Sequence, residues 1–393
     1  MKRRLPPAGL PLRTSHVIGA LAGWARPREA REALEREIAH LFPQRAARAA
    51  VSGRAALFRA FRLAREERPR ADELVLGGYT CWSVAAAAVR AGFRLRPVDL
   101  DPATLDFDGG SLDGIDFSLA GAIVTHHLFG LPNDRGVLLR AAARSGAPLI
   151  DDAAQAFGAE EGGRLVGGAG DAGVLSFGRG KSLPALGGGV LLLDRESPLG
   201  RGAPADDRIA RGTAAFCRAA AHRVFFAPWA YAWIADLPFL RIGETIYDPT
   251  FRIGAIDGYT AALALHMLKT QRAIVARRRE TAAAYAALLS DSKGVRIPIP
   301  LPGSAPAYLR FPVLVPPEKR GEILRRGRPL GIGPSYPAPI ARIPGLPRGA
   351  LAGEPSLPGC EEIAQRVVTL PTHPLVTETD RAKIAALLRE VCG

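Results

Sequence analysis

The residues best suited to chemistry lie in one stretch, Pro148 to Val190. It holds a carboxylate, Asp152, a hydroxyl, Ser176, and a lysine, Lys181, each at or near the end of a predicted strand. A pyridinium cofactor needs a carboxylate to keep its ring nitrogen protonated, hydroxyls and amides to hold its phosphate, and an amine to form a Schiff base. Lysine is a useful nucleophile when burial and a neighbouring cation lower its pKa from about 10.4 toward 7–8. The stretch is therefore suited to a charged aromatic cofactor.

Each of these residues has a simpler interpretation when it is taken alone. A single Asp at a strand end is most often a turn or capping residue, and a single Lys in a Gly-rich loop is most often exposed to solvent or a simple phosphate binder. The string GRGKS around Lys181 suggests a nucleotide-binding loop, but the required GxxxxGK[ST] spacing is missing. Only the combination of the three residues indicates a cofactor site.

The composition limits the possible partners. The 393 residues carry a net charge of +14, which favours either an arginine-rich surface of no specific function or an anionic partner such as a nucleotide, a phosphosugar or a membrane surface. The cations are scattered and no RRM, zinc-finger or helix-turn-helix signature is present, so nucleic acid is not favoured. No stretch reaches the roughly 18 apolar residues of a membrane span, and no convincing signal peptide is present.

The cysteines indicate neither a metal site nor disulfides. They stand at positions 81, 217, 360 and 392, without CxxC or Cys/His ligand spacing. This pattern fits a reducing compartment and predicts a cytoplasmic protein that binds no metal.

The elements that must position the chemical residues alternate between strand and helix. Between residues 51 and 152 this alternation predicts an α/β domain with a mostly parallel sheet. Ligands of such sheets bind outside the carboxyl ends of the strands. The predicted strand ends carry polar side chains, namely Asp151, Asp152, His126, His127 and Ser176.

A second anion site is predicted in VSGRAALFRAFRLA, residues 51–64. It is read as a strand end, a turn at Ser52 and Gly53, and then a helix. A helix N-terminus after Ser-Gly points free amides at a ligand, although Ser is also the commonest ordinary N-cap.

The whole chain divides into four predicted parts. Residues 1–27 form an extended Pro-rich arm, 28–256 a large domain, 257–290 one long interdomain helical pattern, and 291–393 a small α+β domain. The large domain carries an apolar insertion at 205–250. Within it, 222–240 is interpreted as a buried helical excursion or dimer contact, with a patch touching a membrane as the less favoured alternative.

The motifs of the chain together resemble one family. DDAAQAFGA and GDAGVLSFGRGKSLPALGGG resemble the core of the DegT/DnrJ/StrS family of pyridoxal-phosphate-dependent sugar aminotransferases, which have the fold-type I, aspartate aminotransferase-like fold. Five further motifs of that family also have counterparts here, namely its phosphate turn, its cofactor-ring segment, its His-Leu-Tyr-Gly segment, its interdomain helix and its terminal helix. The resemblance covers roughly residues 28–393.

The resemblance implies a role for each candidate residue. Lys181 is the Schiff-base lysine, Asp152 pairs with the pyridine nitrogen, and Gln155 lies beside the ring. The remaining implied contacts are phosphate binding at Ser52, Gly53, Arg54 and Ser176, a ring contact by either Cys81 or Trp82, and substrate contacts at Arg252 and Tyr336.

Three departures from the family motifs lie around the substrate. The Thr of the phosphate turn is Arg54, whose guanidinium either binds phosphate or faces solvent. The family's Asn-Tyr-Arg, which often reaches the partner subunit's site, reads Thr250-Phe251-Arg252, and its His-Tyr-Pro reads Ser335-Tyr336-Pro337.

The function implied is transamination from glutamate to a keto-sugar, linked to a nucleotide, in surface polysaccharide or secondary-metabolite biosynthesis. The family also implies a homodimer. The alternatives are a sugar dehydratase, in which His replaces the lysine, and a non-catalytic or regulatory protein on the same fold. A further alternative keeps the enzyme but anchors it to a membrane through 222–240.

Overall fold

A computed structural model describes residues 3–202, 209–227, 229–231 and 245–393. The strands are β1 (Arg45–Ala50), β2 (Glu73–Gly77), β3 (Arg94–Val98), β4 (Ala120–Val124), β5 (Leu149–Asp152), β6 (Glu160–Glu161), β7 (Arg164–Leu165), β8 (Ala172–Ser176), β9 (Gly189–Asp194), β10 (Ser304–Ala305), β11 (Phe311–Leu314) and β12 (Val367–Leu370). The helices are α1 (Thr14–Gly19), α2 (Leu21–Ala25), α3 (Pro27–Leu41), α4 (Gly53–Glu67), α5 (Trp82–Arg90), α6 (Gly109–Asp113), α7 (Arg135–Ser145), α8 (Thr213–Phe225), α9 (Gly258–Leu268), α10 (Gln271–Leu289), α11 (Pro317–Gly327), α12 (Pro358–Arg366) and α13 (Glu378–Cys392).

A seven-stranded sheet forms the centre of the large part of the chain. Its order is β1-β9-β8-β5-β4-β2-β3, and only β9 runs antiparallel to its neighbours. Strands such as β2, β4 and β8 are buried along their whole length, as expected where helices cover both faces of a parallel sheet. The predicted α/β fold with a mostly parallel sheet is therefore confirmed.

The sheet brings the chemical residues to one edge. Strands β5 and β8 are parallel neighbours, with Asp152 opposite Val174, so Asp152 and Ser176 both lie at the carboxyl edge. The helix α4 follows β1 after a turn at Ser52, and its N-terminus reaches the same edge through a bridge between Ser52 and Gly188.

The C-terminal residues build a smaller layer with its own core. Strands β11 and β12 pair antiparallel, and helices α11 and α13 pack beside them. Helix α10 contributes Tyr285 to this core, where it contacts Phe311 at a ring-centroid distance of 5.6 Å. Helix α10 thus connects the two layers.

Two predicted segments differ from the structure. The arm 1–27 is not extended throughout, because it contains α1 and α2 and buries Leu5, Leu10 and Leu12.

The predicted single helical pattern 257–290 consists of two helices, α9 and α10, which are separated at Thr270. The Thr270 hydroxyl donates to the carbonyl of Met267 at 2.9 Å, a local bond that competes with regular helix geometry.

The apolar segment 222–240 is described only in part. Helix α8 ends at Phe225, and residues 228 and 232–240 lie outside the described residues. The prediction for this segment therefore stays a prediction. No helix within the described ranges is both long enough and apolar enough to cross a membrane.

Candidate active site

A cavity of about 410 Å³ opens at the carboxyl edge of the sheet. Eight of the cofactor-contact residues expected from the sequence line it, together with Arg252. The full lining comprises Val51, Ser52, Gly53, Arg54, Leu57, Thr80, Cys81, Ser83, Val84, His126, Asp152, Ala154, Gln155, Ser176, Lys181, Phe251 and Arg252. In the part of the chain that the structure describes, no group of three or more His, Cys, Asp or Glu side chains is placed to hold a metal ion.

The N-terminus of α4 forms one wall as an anion cradle. Ser52 is the N-cap, and its hydroxyl accepts the amide of Ala55 at 3.1 Å. A Cβ atom on Gly53 would lie 2.6 Å from the Cβ of Ser176 and 2.7 Å from its hydroxyl oxygen, so only glycine allows this approach. The unpaired amides of a first helical turn beside a hydroxyl suit a phosphate group.

Asp152 lines the same cavity and is buried. Its Oδ1 accepts the amide of Ala154 at 3.0 Å, and its own amide donates to the hydroxyl of Thr125 at 2.8 Å. Burial raises the pKa of Asp152 to about 6, and the amide of Ala154 and the charge of Lys181 offset only part of that effect. Within the described ranges no ion pair neutralises this carboxylate, so it is suited to a cationic ligand group.

Asp151, the neighbouring carboxylate, belongs to a buried network instead. The backbone amide of Asn133 donates to Nδ1 of His127 at 2.9 Å, so the ring proton is on Nε2, which donates to Asp151 at 2.6 Å. Thr125 donates to Asp151 at 3.2 Å and accepts the amide of Asp152. Asp151 thereby fixes the strand end that carries Asp152, and it does not line the cavity.

Gln155 is held in place by bonds on both ends of its amide. Its oxygen accepts the amide of Phe129 at 3.2 Å, and its nitrogen donates to the hydroxyl of Tyr336 at 2.9 Å. Tyr336 is not among the residues that line the cavity, and its carbonyl accepts the hydroxyl of Tyr79 at 2.8 Å, so its expected substrate contact stays a prediction. Its position indicates that it orients Gln155.

The structure shows which of the neighbours Cys81 and Trp82 faces the cavity. Cys81 caps α5 and lines the cavity, whereas Trp82 is 5% exposed and packs into the core. The indole nitrogen of Trp82 donates to the carbonyl of Ala338 at 3.3 Å. The geometry therefore favours Cys81 over Trp82 for the cofactor contact, which stays a prediction.

Several lining residues were not among the predicted site residues. His126 lines the cavity while its Nε2 bonds the carbonyl of Leu105 at 3.1 Å. Phe251 and Ser83 also line it, and Arg54 turns its guanidinium toward Ser83 and Asp248. The sequence placed His126 at a predicted strand end, but it offered no signal for Ser83 and Phe251, whose contacts join segments that are far apart in the chain.

Comparisons with known proteins give a consistent result. The family model described as "DegT/DnrJ/EryC1/StrS aminotransferase family" matches residues 15–199 and 253–389, which is more than half of the chain. Residues 200–252 lie between the two matched ranges.

Individual relatives and a solved structure agree with the family match. The chain is 28% identical to dTDP-3-amino-3,4,6-trideoxy-alpha-D-glucose transaminase of Micromonospora megalomicea subsp. nigra, over 82% of this chain and 79% of that protein. It is 34% identical to a pleiotropic regulatory protein of Geobacillus stearothermophilus, over 33% of this chain and 34% of that protein. The crystal structure of the aminotransferase TlmJ from Streptoalloteichus hindustanus has the same fold, with a TM-score of 0.75, 23% identity and 98% of each chain covered.

Proposed function

This chain belongs to the DegT/DnrJ/EryC1/StrS aminotransferase family, and we propose that it is a pyridoxal-phosphate-dependent aminotransferase that transfers an amino group from glutamate to a nucleotide-linked keto-sugar. Membership confirms the resemblance found in the motifs. The observation that carries the proposal is the cavity in which Lys181 and the buried, unneutralised Asp152 lie with an anion cradle. The Micromonospora relative, whose name states a nucleotide-sugar transaminase, supports the choice of acceptor.

The residues present fit pyridoxal phosphate at three points. The close approach of Gly53 to Ser176 leaves a cradle that a Cβ would fill, and it suits the phosphate. Asp152 is a buried carboxylate with a raised pKa, which a protonated ring nitrogen would stabilise in its charged form. Lys181 supplies the amine, and the side chains of Val51, Leu57 and Val84 give the cavity an apolar part.

The mechanism assigns each residue one task. When bound, pyridoxal phosphate supplies an electron sink for the electron pair left when the Cα–H bond of the amino substrate breaks. Asp152 would keep the ring nitrogen protonated and so maintain that sink. Lys181 would hold the cofactor through its amine, and as a free amine it would take the proton from Cα of the amino donor and deliver it to the cofactor carbon that carries the transferred nitrogen. Gln155, fixed by Phe129 and Tyr336, orients the ring.

The test of this proposal is a half-reaction. Adding L-glutamate to the purified protein with pyridoxal phosphate is expected to convert the bound cofactor from its aldehyde to its amine form, with one equivalent of 2-oxoglutarate per site. The absorbance of the cofactor and an assay of 2-oxoglutarate measure both changes. A cofactor spectrum that no amino donor alters would contradict the proposal.

Replacing Asp152 by Asn is expected to slow the glutamate half-reaction about 10²–10³-fold, the usual loss when one preorganised electrostatic contact is removed. The reason is that an amide cannot hold the ring nitrogen protonated. Stopped-flow absorbance at pH 8 measures the rate. The exposed Asp113→Asn variant is the control, and a rate equal to that of the parent in Asp152→Asn would refute the assigned role.

The alternatives have weaker support. A dehydratase of this family carries His at the lysine position, whereas this chain has Lys181. The regulatory alternative draws on the name of the Geobacillus relative, whose alignment covers 33% of this chain. Four expectations stay predictions, namely a homodimer, a cytoplasmic location, a role in surface polysaccharide or secondary metabolism, and the four-part domain division.

A further inference from the structure

We propose that residues 3–12, which we call the N-terminal strap, position Lys181 by tying the loop that carries it, residues 177–187, to the small C-terminal layer. The strap residues are positioning residues, because none of them is among the residues that line the cavity. This inference rests on the proposed function, since it concerns the same lysine. Its consequence is that cofactor affinity depends on an ion pair in the C-terminal layer.

The strap begins with an ion pair to helix α13. The guanidinium of Arg3 donates to both carboxylate oxygens of Asp380, to one of them at 2.6 Å, and to the carbonyl of Leu375 at 2.8 Å. Asp380 is 5% exposed and also accepts the amide of Thr377 at 2.9 Å, which caps the helix. A charge-assisted bond to a buried carboxylate is stronger than an ion pair between exposed side chains, so Arg3 is a firm anchor.

Two further bonds attach the next residues to the same layer. The amide of Leu5 donates to the carbonyl of Pro329 at 3.0 Å, and Nε2 of His373 donates to the carbonyl of Pro6 at 2.8 Å. Pro7 follows directly, and the rings of two consecutive prolines fix φ in both residues. The strap therefore has little slack between its anchors and the residues that follow.

The next strap residues lie against the backbone beside Lys181. Gly9 has φ +115°, and a Cβ atom there would lie 2.8 Å from the ring of Phe226 and 3.3 Å from the carbonyl oxygen of Arg179. A Cβ atom on Gly180 would lie 3.7 Å from the Cβ of Ala8. Glycine at position 9 thus allows an approach to the lysine loop that a side chain would prevent.

The last strap residues supply apolar packing for the loop. Leu10 and Leu12 are each 2% exposed and belong to one hydrophobic cluster. The loop residues in that cluster are Phe177, Leu183 and Ala185. The strap therefore contributes to the core on which both ends of the loop rest.

The loop needs such external contacts because its own backbone is irregular. Glycines at 178 and 180 flank the lysine, and the amide of Lys181 donates to the carbonyl of Gly178 at 3.0 Å. Glycine leaves the backbone a wide choice of conformations unless its surroundings restrict it. If the strap were released, the loop would hold the amine in place for a smaller fraction of the time, and the apparent cofactor affinity would fall by that fraction.

The first experiment follows hydrogen–deuterium exchange of the full-length, cofactor-free protein by mass spectrometry. In Arg3→Gln, the strap and the lysine loop are both expected to exchange about five- to tenfold faster, as for loss of one charge-assisted bond. Helix α7, which packs on β4 and β5, should exchange as in the parent. Leu10→Ala should also speed exchange in the loop, and its effect should be less than additive with that of Arg3→Gln, because both act through one strap.

The second experiment measures pyridoxal phosphate binding by absorbance titration. Its dissociation constant is expected to rise about three- to tenfold in Arg3→Gln and to return toward the parent value in Arg3→Lys, because lysine keeps the charge. At saturating cofactor the glutamate half-reaction should stay within about twofold of the parent rate, since the strap sets how often the loop is in place. By reciprocity, pyridoxal phosphate should slow exchange of the strap in the parent.

The control is Arg277→Gln, which removes an ion pair to Glu280 at 2.7 Å from a side chain of similar exposure, 47% against 42% for Arg3. It should leave loop exchange and cofactor affinity unchanged. Parent-like loop exchange in both Arg3→Gln and Leu10→Ala would overturn the inference, and so would an equal rise in the loop and in α7. Failure of the proposed function would appear separately, as a parent protein whose strap and loop are coupled but whose cofactor glutamate does not convert.

Discussion

Replacing Lys181 by Ala is expected to abolish amino transfer, with a loss of at least about 10⁴-fold in the glutamate half-reaction. Lys181 is the only lysine among the described residues that line the cavity. Its amine is assigned two tasks that no neighbour can take over, covalent binding of the cofactor and proton transfer at Cα. His126 and Arg252 also line the cavity, but neither carries a primary amine.

The measurement separates these two tasks. The spectrum of Lys181→Ala with added pyridoxal phosphate should lack the band that the covalently bound cofactor gives in the parent. A small primary amine such as methylamine, added to the variant, is expected to restore part of the proton transfer rate. Lys383→Ala, on the exposed face of α13, is the matched control and should behave as the parent does.

A result that would contradict this assignment is equally clear. If Lys181→Ala kept the parent's spectrum and half-reaction rate, the amine would have to come from another residue. If the parent itself formed no such band, the regulatory alternative would gain support. The two outcomes differ, because the first leaves an active protein and the second does not.

How far the sequence could predict the site depended on how local each signal was. Asp152 and Ser176 follow apolar runs, and the carboxyl ends of parallel strands meet at one edge, so their proximity could be predicted from the pattern alone. Gly53 was predictable for the same reason, because a Ser-Gly turn before a helix is a local signal. These residues needed no knowledge of distant contacts.

The side chains that the sequence could not place depend on side-chain direction and on contacts with distant segments. Cys81 and Trp82 are adjacent at the start of α5, and only the rotation of that helix decides which faces the cavity. Tyr336 shares a hydrogen bond with Gln155 across 181 positions of the chain. The sequence left open whether the guanidinium of Arg54 binds phosphate or faces solvent, because its partner, Asp248, lies 194 positions away. No periodicity in the sequence encodes such pairs.

Asp151→Ala is expected to lower the free energy of unfolding by about 3–5 kcal/mol, the usual cost of leaving partners of a buried charge unsatisfied. Asp151 is fully buried and accepts Nε2 of His127, the amide of Gly167 at 2.7 Å and the amide of Ala169 at 2.9 Å. The guanidinium of Arg135 lies 3.5 Å from it. Alanine would leave these donors in an apolar interior without an acceptor.

Urea unfolding followed by circular dichroism measures this loss, and Asp116→Ala is the control. Asp116 also accepts a backbone amide, from Ser118 at 2.9 Å, but at the exposed surface where water replaces it, so a much smaller change is expected. Equal unfolding midpoints for the two variants would show that the buried network contributes little.

The pH dependence gives an independent check with a definite sign. Burial by itself would raise the pKa of Asp151, but the hydrogen bond from His127 and the charge of Arg135 outweigh it and hold the pKa below its usual value. The stabilisation is therefore complete above the unfolded pKa of about 3.9 and is lost as the pH falls through the lower folded value. The stability difference between parent and Asp151→Ala should stay constant from pH 8 to about 5 and shrink in stronger acid. A difference that vanished near pH 6 would place the titrating group at Asp152 or another residue.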